Sequence, residues 1–294
     1  MKLSVSNIAW SADQDETMYD LLKSCGLEGL EIAPTRIFPS APYERIREGA
    51  AWSRRLKEQH GLAVSSMQSI WYGRSEQLFG TKEERQALLD YTRKAIDFAA
   101  SVHCGNLVFG CPKNRCLPKA AEAVPQEHCS ALELSAAGER RTAATAWQEE
   151  WMETAVRFFR ELGDYAAQCG TVLSMEANPA MYGTNFINTT EEALDLVELV
   201  HSEGFLLNLD VGTMIANGED VSVLRGKEAM IHHVHISEPG LLPIEYRPLH
   251  QELLELLTGS GYENFVSIEM GRAKDGSLDA VEDAVRYVKS VFAQ

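Results

Sequence analysis

The six cysteines of this chain include no C-x-x-C pair. Neither a zinc ribbon nor the disulfide framework of a small secreted domain is therefore suggested. Cys25, Cys104, Cys111, Cys116, Cys129 and Cys169 read as reduced thiols, including Cys111 and Cys116, which share a loop. No apolar run approaches the roughly 20 residues that cross a bilayer, and no charged-then-apolar leader opens the sequence. A soluble, cytoplasmic protein is expected. Basic residues are scarce: 27 Lys and Arg stand against 43 Asp and Glu, a formal net charge of −16. Nucleic acid and anionic membranes are bound through basic faces that neutralise phosphate, so neither is an expected partner. A small molecule is. Finally, no strand-like segment runs into a Gly-rich dinucleotide fingerprint, which sets aside a doubly wound open sheet, the second choice of architecture.

What the sequence does contain is alternation. Short β-rich apolar runs occur at 3–10, 29–34, 63–70, 106–112, 171–179, 205–212, 231–237 and 265–270, with helical spacing of apolar residues between them. "NTTEEAL" carries a helix start, with Thr189 or Thr190 as cap and Glu191 and Glu192 at the positive end of the dipole. "HGLAV", "CGTVL" and "SGYENFV" place Gly between a helix and the next strand. Eight such units in 294 residues predict a single α/β domain over 1–294, a closed parallel eight-stranded (β/α)8 TIM barrel. The stretch 113–146 is too long for an ordinary βα loop and reads as an insertion after the fourth strand, a candidate lid.

In such a barrel the active site is built at the carboxyl ends of the strands. The fifth to eighth predicted strands end near Glu176, Asp210, His235 and Glu269, spaced about one βα unit apart. A lone acid at a strand end commonly caps a helix or starts a turn. Three carboxylates converging on one small volume would repel one another without a cation among them. One divalent metal ion accounts for the set, with Mn²⁺ favoured and Mg²⁺, Co²⁺ or Zn²⁺ as alternatives. In "IHHVHISEPG", alternation puts His233 and His235 on one face and His232 on the other. His235 is last before the mouth and is the ligand candidate. His233, one layer deeper, is either an orienting group behind the metal or a satisfied core histidine, and His232 is a packing residue.

The motifs "SMEAN" (174–178), "LDVGT" (209–213), "HVHISEPG" (233–240) and "VSIEM" (266–270), in this order and spacing, resemble the xylose isomerase-like barrels. That group includes sugar-phosphate isomerases and epimerases, ketose 3-epimerases, inosose dehydratases and the endonuclease IV branch. The resemblance spans essentially the whole chain. It implies one divalent metal on Glu176, Asp210, His235 and Glu269, with Glu176 and Glu269 doubling as paired acid/base catalysts that work through a metal-stabilised enediolate. Two positions depart from the ketose 3-epimerase pattern. Thr213 stands where those enzymes have a histidine three residues after the metal aspartate, and Leu241 where they have an arginine six residues after the metal histidine. Both are substrate-contacting positions, so the resemblance speaks for the metal chemistry more than for ketohexose substrates.

The remaining strand ends offer substrate-binding candidates. These are Gln68, Trp71 and Arg74 after the third strand, Lys113 and Arg115 after the fourth, Asn178, Tyr182 and Asn185 after the fifth, and His233 and Glu238 on the seventh. Lys113 and Arg115 suit an anion or developing oxyanion, and Trp71 with Gln68 suits a sugar face. Trp10 and Glu31 are weaker candidates. The leading expectation is a metal-dependent isomerase or epimerase acting on a sugar or sugar derivative. The alternative is a lyase or dehydratase that eliminates a β-substituent from a keto-sugar or keto-inositol at the same site. Cleavage of abasic DNA would need a basic face and further histidines, and a non-catalytic sugar-binding barrel would not need four metal ligands. A dimer or tetramer is expected from the resemblance alone.

Overall fold

The computed structural model describes residues 1–118 and 143–292, so most of the expected insertion over 113–146 lies outside the described residues. Strands β1 (Lys2–Ser6), β2 (Gly29–Ile32), β3 (Ala63–Met67), β4 (Asn106–Phe109), β5 (Val172–Glu176), β6 (Phe205–Asp210), β7 (Ile231–Ile236) and β8 (Phe265–Ile268) pair in chain order. The last strand returns to pair in parallel with the first, so the sheet closes into a (β/α)8 TIM barrel. Helices α1 (Asp15–Ser24), α2 (Pro34–Ile37), α3 (Ile46–His60), α4 (Lys82–Ser101), α5 (Ala143–Gln168), α6 (Thr190–Val200), α7 (Val211–Asn217), α8 (Pro248–Gly259) and α9 (Asp279–Phe292) fill the intervals. Among the described residues, the single turn α2 is the one α-helix in excess of a strand-by-strand alternation. The strands end one to four residues before their apolar runs do, because the chain leaves the hydrogen-bonded ladder at the mouth while residues beyond it such as Trp10, Ile70 and Met270 stay buried.

Local signals place these elements. Thr189 caps α6 by accepting from the Glu192 amide at 3.2 Å, and the Glu192 carboxylate returns to the Thr189 amide at 3.3 Å. Gly61 ends α3 at φ 75°, in the left-handed region that favours glycine. Along the strands, Leu173 and Met175, Leu207 and Leu209, and Val266 and Ile268 join the hydrophobic core, while the intervening Ser174 and Glu176, Asn208 and Asp210, and Ser267 and Glu269 are buried polar residues. Alternation puts these sets on opposite faces. Glu31 of β2 meets His233 and His235 of β7, and those strands are not neighbours, so the polar face is the barrel interior. His232 is displaced from that alternation: Leu207 pairs with Ile231 and Asn208 with His233, leaving His232 as a bulge whose Nε2 lies 3.1 Å from the Gly105 carbonyl.

Trp71 is part of the core rather than of a sugar-binding surface. It is 2% exposed, its indole N–H donates to Thr92 Oγ1 at 2.8 Å, and its ring meets Phe109 edge-on at 4.6 Å. Deleting a ring packed in this way costs about 3–5 kcal/mol, so a structural role accounts for it fully. Cys111 and Cys116 are free thiols. No helix among the described residues is long and apolar enough to cross a membrane.

Two features of this packing are testable. A Cβ on Gly204, at the entrance to β6, would lie 2.0 Å from the Gly163 carbonyl oxygen and 2.6 Å from the Ala167 nitrogen, both backbone atoms of α5. Gly204→Ala should therefore cost at least about 2 kcal/mol in denaturant unfolding, against less than about 0.5 kcal/mol for Gly105→Ala, whose Cβ would meet nothing within 4 Å. Equal stability of the two variants would contradict the close approach. The second is His250 of α8, which is fully buried, with Nδ1 2.8 Å from the Tyr287 hydroxyl and Nε2 without a partner. Burial pulls its pKa down from 6.5 to about 4. The folded state thus resists protonating this ring, and its contribution is complete above pH 6.5 and lost as pH falls from there towards 4. Comparing His250→Gln with the parent across that window should show the parent losing roughly 3 kcal/mol more stability.

Candidate metal centre

Four consecutive strands deliver the site. Glu176 ends β5, Asp210 ends β6, His235 lies one residue short of the end of β7, and Glu269 follows β8 directly. One ligand atom from each lies within 4.8 Å of those of the others, and all four residues are buried. His235 Nδ1 is the hub, 3.1 Å from Glu176 Oε2, 3.4 Å from Glu269 Oε2 and 4.0 Å from Asp210 Oδ2. Each carboxylate is also gripped from behind. Glu176 accepts from Asn178 Nδ2 on Oε1 at 2.7 Å and from Asn208 Nδ2 on Oε2 at 2.8 Å. Asp210 caps α7 through the Thr213 amide and accepts from Ser237 Oγ at 2.9 Å. Glu269 accepts from Gln68 Nε2 at 2.8 Å. A Cβ on Gly110 would stand 2.9 Å from Glu176 Oε1, so only glycine leaves that carboxylate in place.

The electrostatics show the cost of this crowding. Burial raises the pKa of Asp210 to about 7, reinforced by the charges of Glu176 and Glu269 and opposed by His235. Glu269 is raised too, by burial first and by Glu176 and Glu31, against the pull of His235. Burial would lower the pKa of His235, but Glu31 and Glu269, with hydrogen bonds to Glu176 and Glu269, outweigh it and hold the ring well above its ordinary value. Glu31 lies beneath. Burial pushes its pKa up, yet His235 and His233 prevail and keep it well below the carboxylate range. One oxygen of Glu31, Oε2, is 2.8 Å from His235 Nε2 and 3.1 Å from His233 Nε2. With Nε2 committed to Glu31, His235 directs Nδ1 at the three carboxylates, the carboxylate–histidine arrangement that orients a metal ligand. Hard oxygens plus one imidazole fit a divalent metal such as Mn²⁺, Mg²⁺, Co²⁺ or Zn²⁺.

A family model described as the xylose isomerase-like TIM barrel matches residues 19–291. The chain belongs to that family. In structure it is similar to a D-psicose 3-epimerase from Clostridium cellulolyticum H10, at 16% identity over 99% of each chain with a TM-score of 0.73. It is also similar to the 3-keto-D-glucoside 4-epimerase of E. coli, at 19% identity over 99% of each chain with a TM-score of 0.72. The IOLI protein, solved with a zinc atom, shares 16% identity over 99% of this chain and 96% of that one, with a TM-score of 0.64. No curated protein matches the sequence. Identities this low establish the barrel and leave the activity to be argued from the site.

In this xylose isomerase-like barrel, several of the residues expected to touch substrate support the buried acids and imidazole instead. Gln68 and Asn178 hold Glu269 and Glu176, and His233 holds Glu31. Arg115 is fully buried and donates to the Glu176 carbonyl and to Asn178 Oδ1, leaving no exposed edge for an anion. Glu238 is 3% exposed and is taken by the guanidinium of Arg247, whose Nε donates at 2.7 Å, so it buttresses the loop after β7 rather than lining the rim. Tyr182 stands half-buried at the mouth, its hydroxyl accepting from the Gly240 amide at 2.7 Å, which ties the loops after β5 and β7 together. Lys113 is exposed on a single 3-10 turn after β4. Thr213 turns its hydroxyl away to the Ala177 carbonyl at 2.9 Å. A separate groove of about 810 Å³ beside α2 and α4 includes Arg36, Arg74 and Lys94 in its lining. Each is already paired with an acid, so the groove offers no free cation. Sequence reasoning missed Asn208 and Ser237. Asn208 lies two residues from Asp210 and Ser237 two from His235, and the period of two was the available signal.

The support from below predicts a measurable effect. Glu31→Gln removes the charge that fixes His235, and divalent-metal affinity should fall by roughly 10- to 100-fold in competition with a chelator. Unchanged affinity would show that Glu31 does not orient the ligand.

Proposed function

We propose that this barrel is a divalent-metal-dependent isomerase or epimerase of a sugar or sugar derivative. The convergence of Glu176, Asp210, His235 and Glu269 at the mouth carries the reading. A metal held by these four, Mn²⁺ by preference, supplies Lewis-acid stabilisation of negative charge on substrate oxygens. The chain's own part is proton transfer. Glu176 ends β5 and Glu269 directly follows β8, with Asp210 and His235 delivered by the two strands between, so the two carboxylates flank the site. One removes a proton from the carbon beside a carbonyl, and the other returns a proton. Return to the opposite face of that carbon inverts it, and return to the neighbouring carbon isomerises. Asn178 and Gln68 fix the oxygens that do not face His235, which limits where each carboxylate can reach. The epimerases among the structural neighbours support the same class, and the net charge of −16 favours a small molecule over nucleic acid.

The test is solvent-deuterium exchange. The Mn²⁺-loaded protein, screened against keto-sugars and keto-glycosides in D₂O, should place deuterium at a carbon next to a carbonyl. Glu176→Gln and Glu269→Gln should each slow that exchange by at least about 100-fold. Exchange that survives both substitutions would overturn the assigned roles, and exchange accompanied by loss of a β-substituent would assign an elimination instead.

A further inference from the structure

Arg115 is 0% exposed, an uncommon place for a guanidinium. Burial lowers its pKa to about 10, against the opposing influence of Cys111 and Glu176, so it keeps its charge at neutral pH. Removing that charge from water costs several kcal/mol unless good hydrogen bonds offset it. Its contacts show where that stabilisation is directed. Nη2 donates to the main-chain carbonyl of Glu176 at 3.1 Å and to Asn178 Oδ1 at 2.8 Å. The other end of that amide, Asn178 Nδ2, donates to Glu176 Oε1 at 2.7 Å. Backbone and side chain of one glutamate are thus held from a single guanidinium nitrogen.

The amide between them matters. An asparagine side chain can present either oxygen or nitrogen to a neighbour. A cation against Oδ1 fixes the choice, so the NH₂ group must face Glu176. A guanidinium placed directly on the Glu176 carboxylate would instead lower its basicity and compete with a metal for its oxygens. The amide passes on orientation without placing the guanidinium on the carboxylate itself. The chain on both sides of Arg115 is held as well. Asn114 Nδ2 donates to the carbonyls of Arg74 at 3.1 Å and Glu76 at 2.9 Å, and the Leu117 amide donates to Asn185 Oδ1 at 2.7 Å. The segment after β4 is thereby stitched to the loops after β3 and β5.

We infer that Arg115 is a positioning residue which, through Asn178, holds the Glu176 carboxylate facing Asp210, His235 and Glu269. The inference rests on the metal reading proposed above and adds a residue that acts on a ligand without touching it. Titration with Mn²⁺ alone tests it, on the parent, Arg115→Lys, Asn178→Ala, Asn178→Asp and the Arg115→Lys/Asn178→Ala double variant. Gly204→Ala serves as a control destabilised away from the site. Arg115→Lys and Asn178→Ala should each weaken Mn²⁺ binding about 10-fold. The double variant should bind within about threefold of Asn178→Ala, because both substitutions break one chain of contacts. Asn178→Asp, which turns an oxygen towards Glu176, should bind more weakly than Asn178→Ala. Gly204→Ala should bind like the parent.

Parent-like Mn²⁺ affinity in Arg115→Lys, whatever its thermal stability, would overturn the role, as would losses that multiply in the double variant. Should Arg115→Lys fail to fold, the two Asn178 variants decide: Asn178→Asp binding as tightly as the parent contradicts the inference. A parent that binds no Mn²⁺ defeats the metal reading and this role together, and that result is read on the parent alone.

Discussion

Three carboxylates buried around one imidazole are the constraint on which the rest of this barrel turns. Burial raises the pKa of Asp210 and Glu269, and neighbouring carboxylates add to it. The chain answers with donors. Asn178, Asn208, Gln68, Ser237 and the Thr213 amide each hold a carboxylate oxygen. His235 contributes positive charge at the centre, kept there by Glu31 from below. Such a network is worth building where the carboxylates must stay ionised and fixed, which is what a metal ligand and a proton-transferring base both require.

The same constraint explains the barrel interior. Many barrels fill the space inside with branched apolar side chains. Here the inward layers hold Ser4, Ser6, Ser66, Asn106, Ser174, Asn208 and Ser267, all buried. Several are hydrogen-bonded, as Asn106 Nδ2 is to Ser66 Oγ at 2.9 Å and Gln68 Nε2 to Ser6 Oγ at 2.8 Å. Small polar side chains let Glu31 reach across from β2 to two histidines on β7. A leucine layer at that depth would leave Glu31 an unpaired buried charge. Stability comes instead from the outer face, where alternate strand residues and the helices form the hydrophobic core.

The barrel was legible because strand and helix periods alternate eight times, and the cluster of Glu176, Asp210, His235 and Glu269 because each places an ionisable group near the end of an apolar run. The support layer was harder to read. Gln68 and Asn178 look like substrate contacts in sequence because an amide near a barrel mouth suits either role, and only geometry shows the carboxylate each one holds. Trp71 and Arg115 were hard to place for a related reason: the chain past a strand end can turn inward, Trp71 into the hydrophobic core and Arg115 back to Glu176 and Asn178, and sequence does not fix that direction. Glu31 was undervalued because its partners lie about 200 residues away on β7, and no local spacing reports a contact across a barrel. Residues 119–142 of the expected insertion lie outside the described residues.

Anomalous diffraction from crystals grown with Mn²⁺ decides whether the four strand-end side chains hold one divalent cation. One strong peak is expected, bounded by Glu176, Asp210, His235 and Glu269 and absent in crystals of Asp210→Asn. A peak elsewhere, or none at this site at saturating Mn²⁺, would contradict it and leave the buried carboxylates as structural groups balanced by His235 alone.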